Sequence, residues 1–189
     1  NISAKKILLT GEADTPEAIM AFNEGIIDRY IRKDTENLHA VLSNFIKSLS
    51  HEYFSDITKN LALQLEGENA FSDLIFQKYF ADFYDDKNIR EHYLLDKFGS
   101  LYLIDHCNQD SCLIIHTDKT LNTFVDVHGD VKWAESIISK IKSRKLIPFF
   151  GKNREPWEVS QSEWENCLHH AKVLQGEKQN YYIAHIENI

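Results

Sequence analysis

The chain has 189 residues, 43% hydrophobic and 26% charged, which excludes disordered and collagen-like chains and fits one globular domain or two small ones. No apolar run approaches the roughly 20 residues that span a bilayer, and the opening NISAKKILLTG lacks the pattern of a signal peptide, so a cytosolic protein is expected. A formal charge of -8 argues against indiscriminate binding to nucleic acid or anionic lipid, and three cysteines, Cys107, Cys112 and Cys167, are too few for a disulfide framework.

The chain starts at Asn1 and enters a strand almost at once, so it is expected to be a piece of a longer protein. Residues 5 to 10 read as an apolar strand that gives way to Gly11 and then to a helix capped by Asp14 or Thr15, with Pro16 at the first helical position. Ile19, Met20, Phe22 and Ile26 follow at roughly helical spacing, and Gly25 is placed to stop the helix. A second strand is expected over 26 to 33. Asp34 or Thr35 then caps a long amphipathic helix carrying Leu38, Val41, Leu42, Phe45, Ile46 and Leu49. This strand, helix, strand, helix order predicts parallel strands joined by helical crossovers.

The helical period continues from Tyr53 to Tyr84, through Ile57, Leu61, Leu65, Phe71, Leu74, Ile75, Tyr79, Phe80 and Phe83, with a break at 66 to 69. At His92 the period falls to two: HYLLD, Gly99, SLYLIDHC, a turn at NQDS and CLIIHT predict a small antiparallel meander. Residues 131 to 145 read as helix and 146 to 150 as a buried strand or turn. A helix is expected over 160 to 174, capped by Ser160 or Ser162, and YYIAHIE (181 to 187) is a closing strand.

The first 50 residues resemble the C-terminal half of a bacterial response-regulator receiver domain. The resemblance is carried by a hydroxyl residue ending one strand, Thr10, a lysine ending the next, Lys33, and an aromatic three residues before it, Tyr30, within AFNEGIIDRYIRK. It implies strand 4, helix 4, strand 5 and helix 5 of a receiver in residues 1–54, followed by an α+β output domain with a small antiparallel sheet in residues 55–189. Lys33 would hold a phosphorylated aspartate, Thr10 would donate its hydroxyl to a phosphoryl oxygen, and Tyr30 would turn inward as the two-state element. The phosphoacceptor aspartate and the acids that bind Mg2+ would belong to the earlier half of a complete receiver, with no metal site in this chain. The implied partners are a sensor histidine kinase and a second copy docking through residues 15–50. One departure is Asp34, which follows Lys33 where receivers carry proline.

Residues 55–189 look similar to the output domain of quorum-sensing-type response regulators of Legionella and relatives, which implies signalling by a non-enzyme whose output binds a protein or a nucleotide-like ligand. No helix-turn-helix with a basic recognition helix is found. Residues 132 to 154 nonetheless hold Lys132, Lys140, Lys142, Arg144, Lys145, Lys152 and Arg154 against Glu135 alone, a local charge of +6 where the remainder sums to -14. Lys140, Lys142, Arg144, Lys145, Lys152 and Arg154 are therefore candidate contacts for phosphate or nucleic acid. They support two alternatives, an output that processes nucleotides or phosphate esters and a regulator that touches DNA directly; a solvated helix face is the simpler account.

Other groupings carry less. His106, Cys107, Cys112 and His116 flank the predicted turn but lack a second paired metal motif. His169 and His170 beside Cys167 diverge on a helix, and Asp96, Asp105 and Asp110 make no recognisable dyad. Trp133, Trp157, Trp164, Tyr181 and Tyr182 suit a core as well as a ligand pocket.

Overall fold

The computed structural model describes residues 4–11, 16–64, 69–129, 135–151, 156–187 and 189. The chain divides into two compact units, Asn1–Asn60 and Leu61–Ile189. Asp14, Thr15, Lys132, Trp133, Lys152, Arg154 and the side chain of Trp157 lie outside the described residues.

In the first unit, β1 (Ile7–Thr10) leads through α1 (Pro16–Asn23) to β2 (Arg29–Arg32) and then into α2 (Leu38–Gln64). The strands pair in parallel, from Ile7 beside Arg29 to Thr10 beside Arg32, as a helical crossover requires. The second strand is shorter than the expected 26 to 33, because the first residues of that run finish the helix. The amides of Ile26 and Ile27 donate to the Ala21 carbonyl at 2.8 and 3.2 Å, and Gly25 adopts φ +69°, the left-handed cap that a side chain would strain. Ala18, Ile31 and Leu49 are this unit's buried apolar residues among those described.

The second unit is built on a five-stranded antiparallel sheet in the order β3 (Ile89–Leu94), β4 (Leu101–Asp105), β5 (Asp110–Thr117), β9 (Asn180–Glu187), β8 (Lys172–Gln175). Alternation along the two central strands explains their unbroken apolar runs. Leu113, Ile115, Tyr181 and Ile183 face a core completed by Phe71 and by Phe76 and Phe80 of α3 (Leu74–Asp86). Cys112, Ile114, Tyr182 and Ala184 face the opposite core with α4 (Asp118–His128) and α5 (Glu135–Lys142). Phe76 is fully buried, with its ring edge-on to Phe71 at 5.1 Å.

Asp73 fixes α3 to this sheet. One carboxylate oxygen accepts the amides of Ile75 and Phe76 at the helix start, and the other accepts the Glu177 amide at 2.7 Å and the Tyr181 hydroxyl at 3.3 Å. A side chain at Gly176 would collide with that second oxygen and the Tyr181 ring.

Two features depart from the sequence reading. The helix expected over 160 to 174 is replaced by a 3-10 segment, Gln161–Cys167, and two strands, β7 (Leu168–His170) and β8. The cause is tertiary pairing: β7 runs antiparallel to β6 (Leu146–Pro148), and β8 to β9. Conversely, α4 occupies residues to which the sequence reading assigns no element. Leu121, Phe124 and Val125 sit there at helical spacing behind a capping box formed by Thr117 and Thr120.

Candidate functional site

The candidate residues of the first unit meet at the C-terminal ends of β1 and β2. Register places Leu8 beside Tyr30 and Thr10 beside Arg32. Since laterally paired residues project to the same side and successive residues to opposite sides, Thr10, Tyr30 and Arg32 share one face. The other face belongs to α2: Arg29 pairs with Glu52 at 2.7 Å, its guanidinium lies 5.9 Å from the Phe45 ring, and Ile31 is buried. Thr10 and Tyr30 are thus diagonal neighbours, each half-buried. Lys33 follows directly, its amide donating to the Thr10 carbonyl at 2.7 Å. Its exposed side chain passes over Gly11, where an added Cβ would lie 3.9 Å from Lys33 Cδ.

Arg32 is a cation that motif reasoning missed. Its guanidinium grips Asp34 in a bidentate pair, Nε to Oδ1 at 2.8 Å and the terminal nitrogen to Oδ2. Hydrogen bonding from Arg32 holds the Asp34 carboxyl below its ordinary pKa. Alternation could have put Arg32 beside Tyr30, but only the register with β1 puts it beside Thr10. Mg2+ requires a set of oxygen ligands. Among the described residues this strand end offers the Asp34 carboxylate, already engaged by Arg32, and these described residues do not fit the ion.

In the second unit the basic residues separate. Arg144 closes the C-terminal end of α5 at φ +62° and turns its guanidinium onto Asp118 at 2.8 Å and onto Asn122, while Tyr182 donates to the same Asp118 oxygen at 3.1 Å. Lys140 pairs with Glu165 at 3.1 Å. Lys142 and Lys145 are exposed.

The remaining candidates are dispersed. Cys112 is buried in the core, Cys107 is exposed, and His116 is held between Thr120 and the Pro148 carbonyl, each at 3.1 Å. Burial pushes the His116 pKa down against smaller upward contributions from the Pro148 carbonyl and Asp96. Among the described residues no three His, Cys, Asp or Glu side chains converge on a metal position. His169 and His170 stand on β7 rather than on a helix. Asp96 accepts the amides of Phe98, Gly99 and Ser100, Asp105 those of Cys107 and Gln109, and Asp110 the Tyr102 hydroxyl. The first two carboxylates shape turns, and the third ties β5 to β4. Trp164, Tyr181 and Tyr182 are core residues.

A polar cleft of about 170 Å³ opens near the end of α3, lined among others by Lys87, Asp105, Ser111, His185 and Glu187. Within it Lys87 and His185 lie 3.6 and 3.4 Å from Glu187, and burial is the main cause lowering the His185 pKa. Sequence reasoning missed this grouping because it depends on the β5–β9 register that sets Ser111 beside Glu187.

No protein-family model matches the chain. No curated protein matches it. Among solved structures, that of the Legionella pneumophila response regulator LqsR is similar, with a TM-score of 0.64 and 28% identity, over 98% of this chain. The chain spans 59% of the length of that protein. No helix among the described residues is long and apolar enough to cross a membrane.

Proposed function

We propose that this chain belongs to a phosphorylation-controlled response regulator, in which residues 1–54 form the C-terminal half of a receiver and the remainder is its output. The observation that carries this reading is the strand-end arrangement: Thr10 and Tyr30 as diagonal neighbours on one face, with Lys33 bonded through its amide to the Thr10 carbonyl. A phosphoryl group carries close to two negative charges and three acceptor oxygens. A mobile hydroxyl, a lysine and a neighbouring aromatic able to fill vacated space are a sufficient local device for reading it. Likeness to a response regulator across nearly the whole chain supports the same reading.

On this reading the phosphoacceptor and the Mg2+-binding acids are supplied by an earlier half of the receiver, and a sensor histidine kinase supplies the phosphoryl group in a pathway of the quorum-sensing type. Two copies pair through residues 15–50. The exposed apolar side chains of Ile19, Met20 and Phe22 on α1 support that surface. The output acts by binding a protein or a nucleotide-like ligand, without catalysis, and exposed Lys142 and Lys145 favour an anionic partner.

The test is the light-scattering mass of the full natural protein with and without beryllofluoride and Mg2+, which mimic an acyl phosphate. A monomer-to-dimer shift that is lost in Thr10→Ala is the expected result. A mass unchanged by beryllofluoride overturns phosphorylation-controlled pairing.

A further inference from the structure

The two residues flanking Lys33 form an ion pair of their own, on the face that carries Thr10 and Tyr30. Arg32 stands beside Thr10 in the strand register and presents its planar fork to Asp34. Such a fork matches a carboxylate and a phosphate equally well in geometry. The pair is exposed, with side-chain accessibilities of 40% for Arg32 and 64% for Asp34. An exposed pair contributes little to stability and can be exchanged at low cost.

We propose that Arg32 is a second phosphoryl-reading cation, held in reserve by Asp34 and exchanged from that carboxylate to the phosphoryl group when one arrives at the strand end. This rests on the receiver reading and deepens it by naming what competes for the anion. The charges set the direction of the exchange. A phosphoryl dianion attracts the guanidinium more strongly than a carboxylate monoanion does, and Lys33 draws that dianion to the same strand end. Asp34 has a second effect, because the exchange strips Arg32 from a carboxylate one residue beyond Lys33, and the uncompensated charge then repels the bound anion. The Arg32–Asp34 pair therefore sets a threshold: the site responds to a doubly charged group and discriminates against singly charged ones.

The test uses the full natural protein, labelled with nitrogen-15. It is titrated with inorganic phosphate at constant ionic strength while the backbone amides of Thr10 and Lys33 and the Arg32 Nε–H signal are followed. The expected result is that all three move with one dissociation constant. Asp34→Asn should tighten binding about two- to five-fold, the scale of one exposed charge pair, and adding Arg32→Leu should cancel that gain. If Thr10 and Lys33 respond while Arg32 stays still and Asp34→Asn leaves the affinity unchanged, the exchange is overturned and the receiver reading stands. Absence of any response at Thr10 and Lys33 overturns the exchange, while the receiver reading is judged separately by the beryllofluoride mass shift.

Discussion

The two units solve the burial of apolar surface in opposite ways. In the second, a five-stranded sheet is covered on both faces, so that neighbouring residues such as Cys112 and Leu113 each enter a core. In the first, two parallel strands carry α1 with Ile19, Met20 and Phe22 exposed at 50% or more, and an apolar groove of about 340 Å³ lies between β1 and α2, lined by Ala4, Ile7, Ile46, Leu49 and Tyr53 among others. Parallel strands are ordinarily buried on both faces, and two strands alone are marginal. The second unit thus contains what it needs to specify its own packing. The first exposes surfaces of the kind that other protein usually covers.

The sharpest way to break this contrast is to cut the second core. Phe76→Ala removes a fully buried ring packed between Phe71 and Tyr181, and should cost about 3–5 kcal/mol, the scale for deleting a buried aromatic. It would be read as a fall in the urea midpoint of the second unit's transition, with a nearly unchanged slope. A loss below about 1 kcal/mol would place Phe76 outside the region that holds this unit together.

A smaller effect should appear with acid, and again in the second unit. His116 is buried between Thr120 and the Pro148 carbonyl, and burial holds its pKa below the ordinary 6.5. The unfolded chain therefore binds the proton more readily than the folded one. The stability held by neutral His116 is complete above the unfolded pKa and is lost as pH falls through about 6.5 toward the depressed folded value. His169 and His185, also lowered by burial, add in the same direction. Urea midpoints at pH 7.5 and 5.5 should fall more for the wild type than for His116→Gln. Equal falls would remove His116 from the acid response.

The same contrast explains what could be read from the sequence. In β1 and α1, Gly11, Pro16 and Gly25 mark boundaries by local chemistry, so the strand–turn–helix order was legible, as was the alternation that gives the meander β3 to β5. At 160 to 174 local periodicity pointed to a helix while distant strands decided otherwise, since Leu168–His170 pairs with a segment about twenty residues earlier and Lys172–Gln175 with one that follows. Thr10, Tyr30 and Lys33 were readable as a spacing. That Arg32 lies beside Thr10, and that Arg144 faces Asp118 instead of solvent, depends on register and helix packing that no local pattern encodes.

The smallest effect is expected on the α1 surface, and it bears on the comparison most directly. Met20 is 58% exposed and Ile19 55%, so within this chain a serine at Met20 removes little buried area, and the unfolding free energy should change by less than about 0.5 kcal/mol. Association should respond differently. If two copies pair through this face, Met20→Ser removes apolar area from the contact and shifts the light-scattering mass of the activated full protein toward monomer while the urea midpoint stays fixed. A midpoint that falls as far as that of Phe76→Ala would show that α1 is already packed within its own unit, and the contrast between the two units would fail. A fixed midpoint with an unchanged mass would move the pairing surface elsewhere and leave the contrast standing.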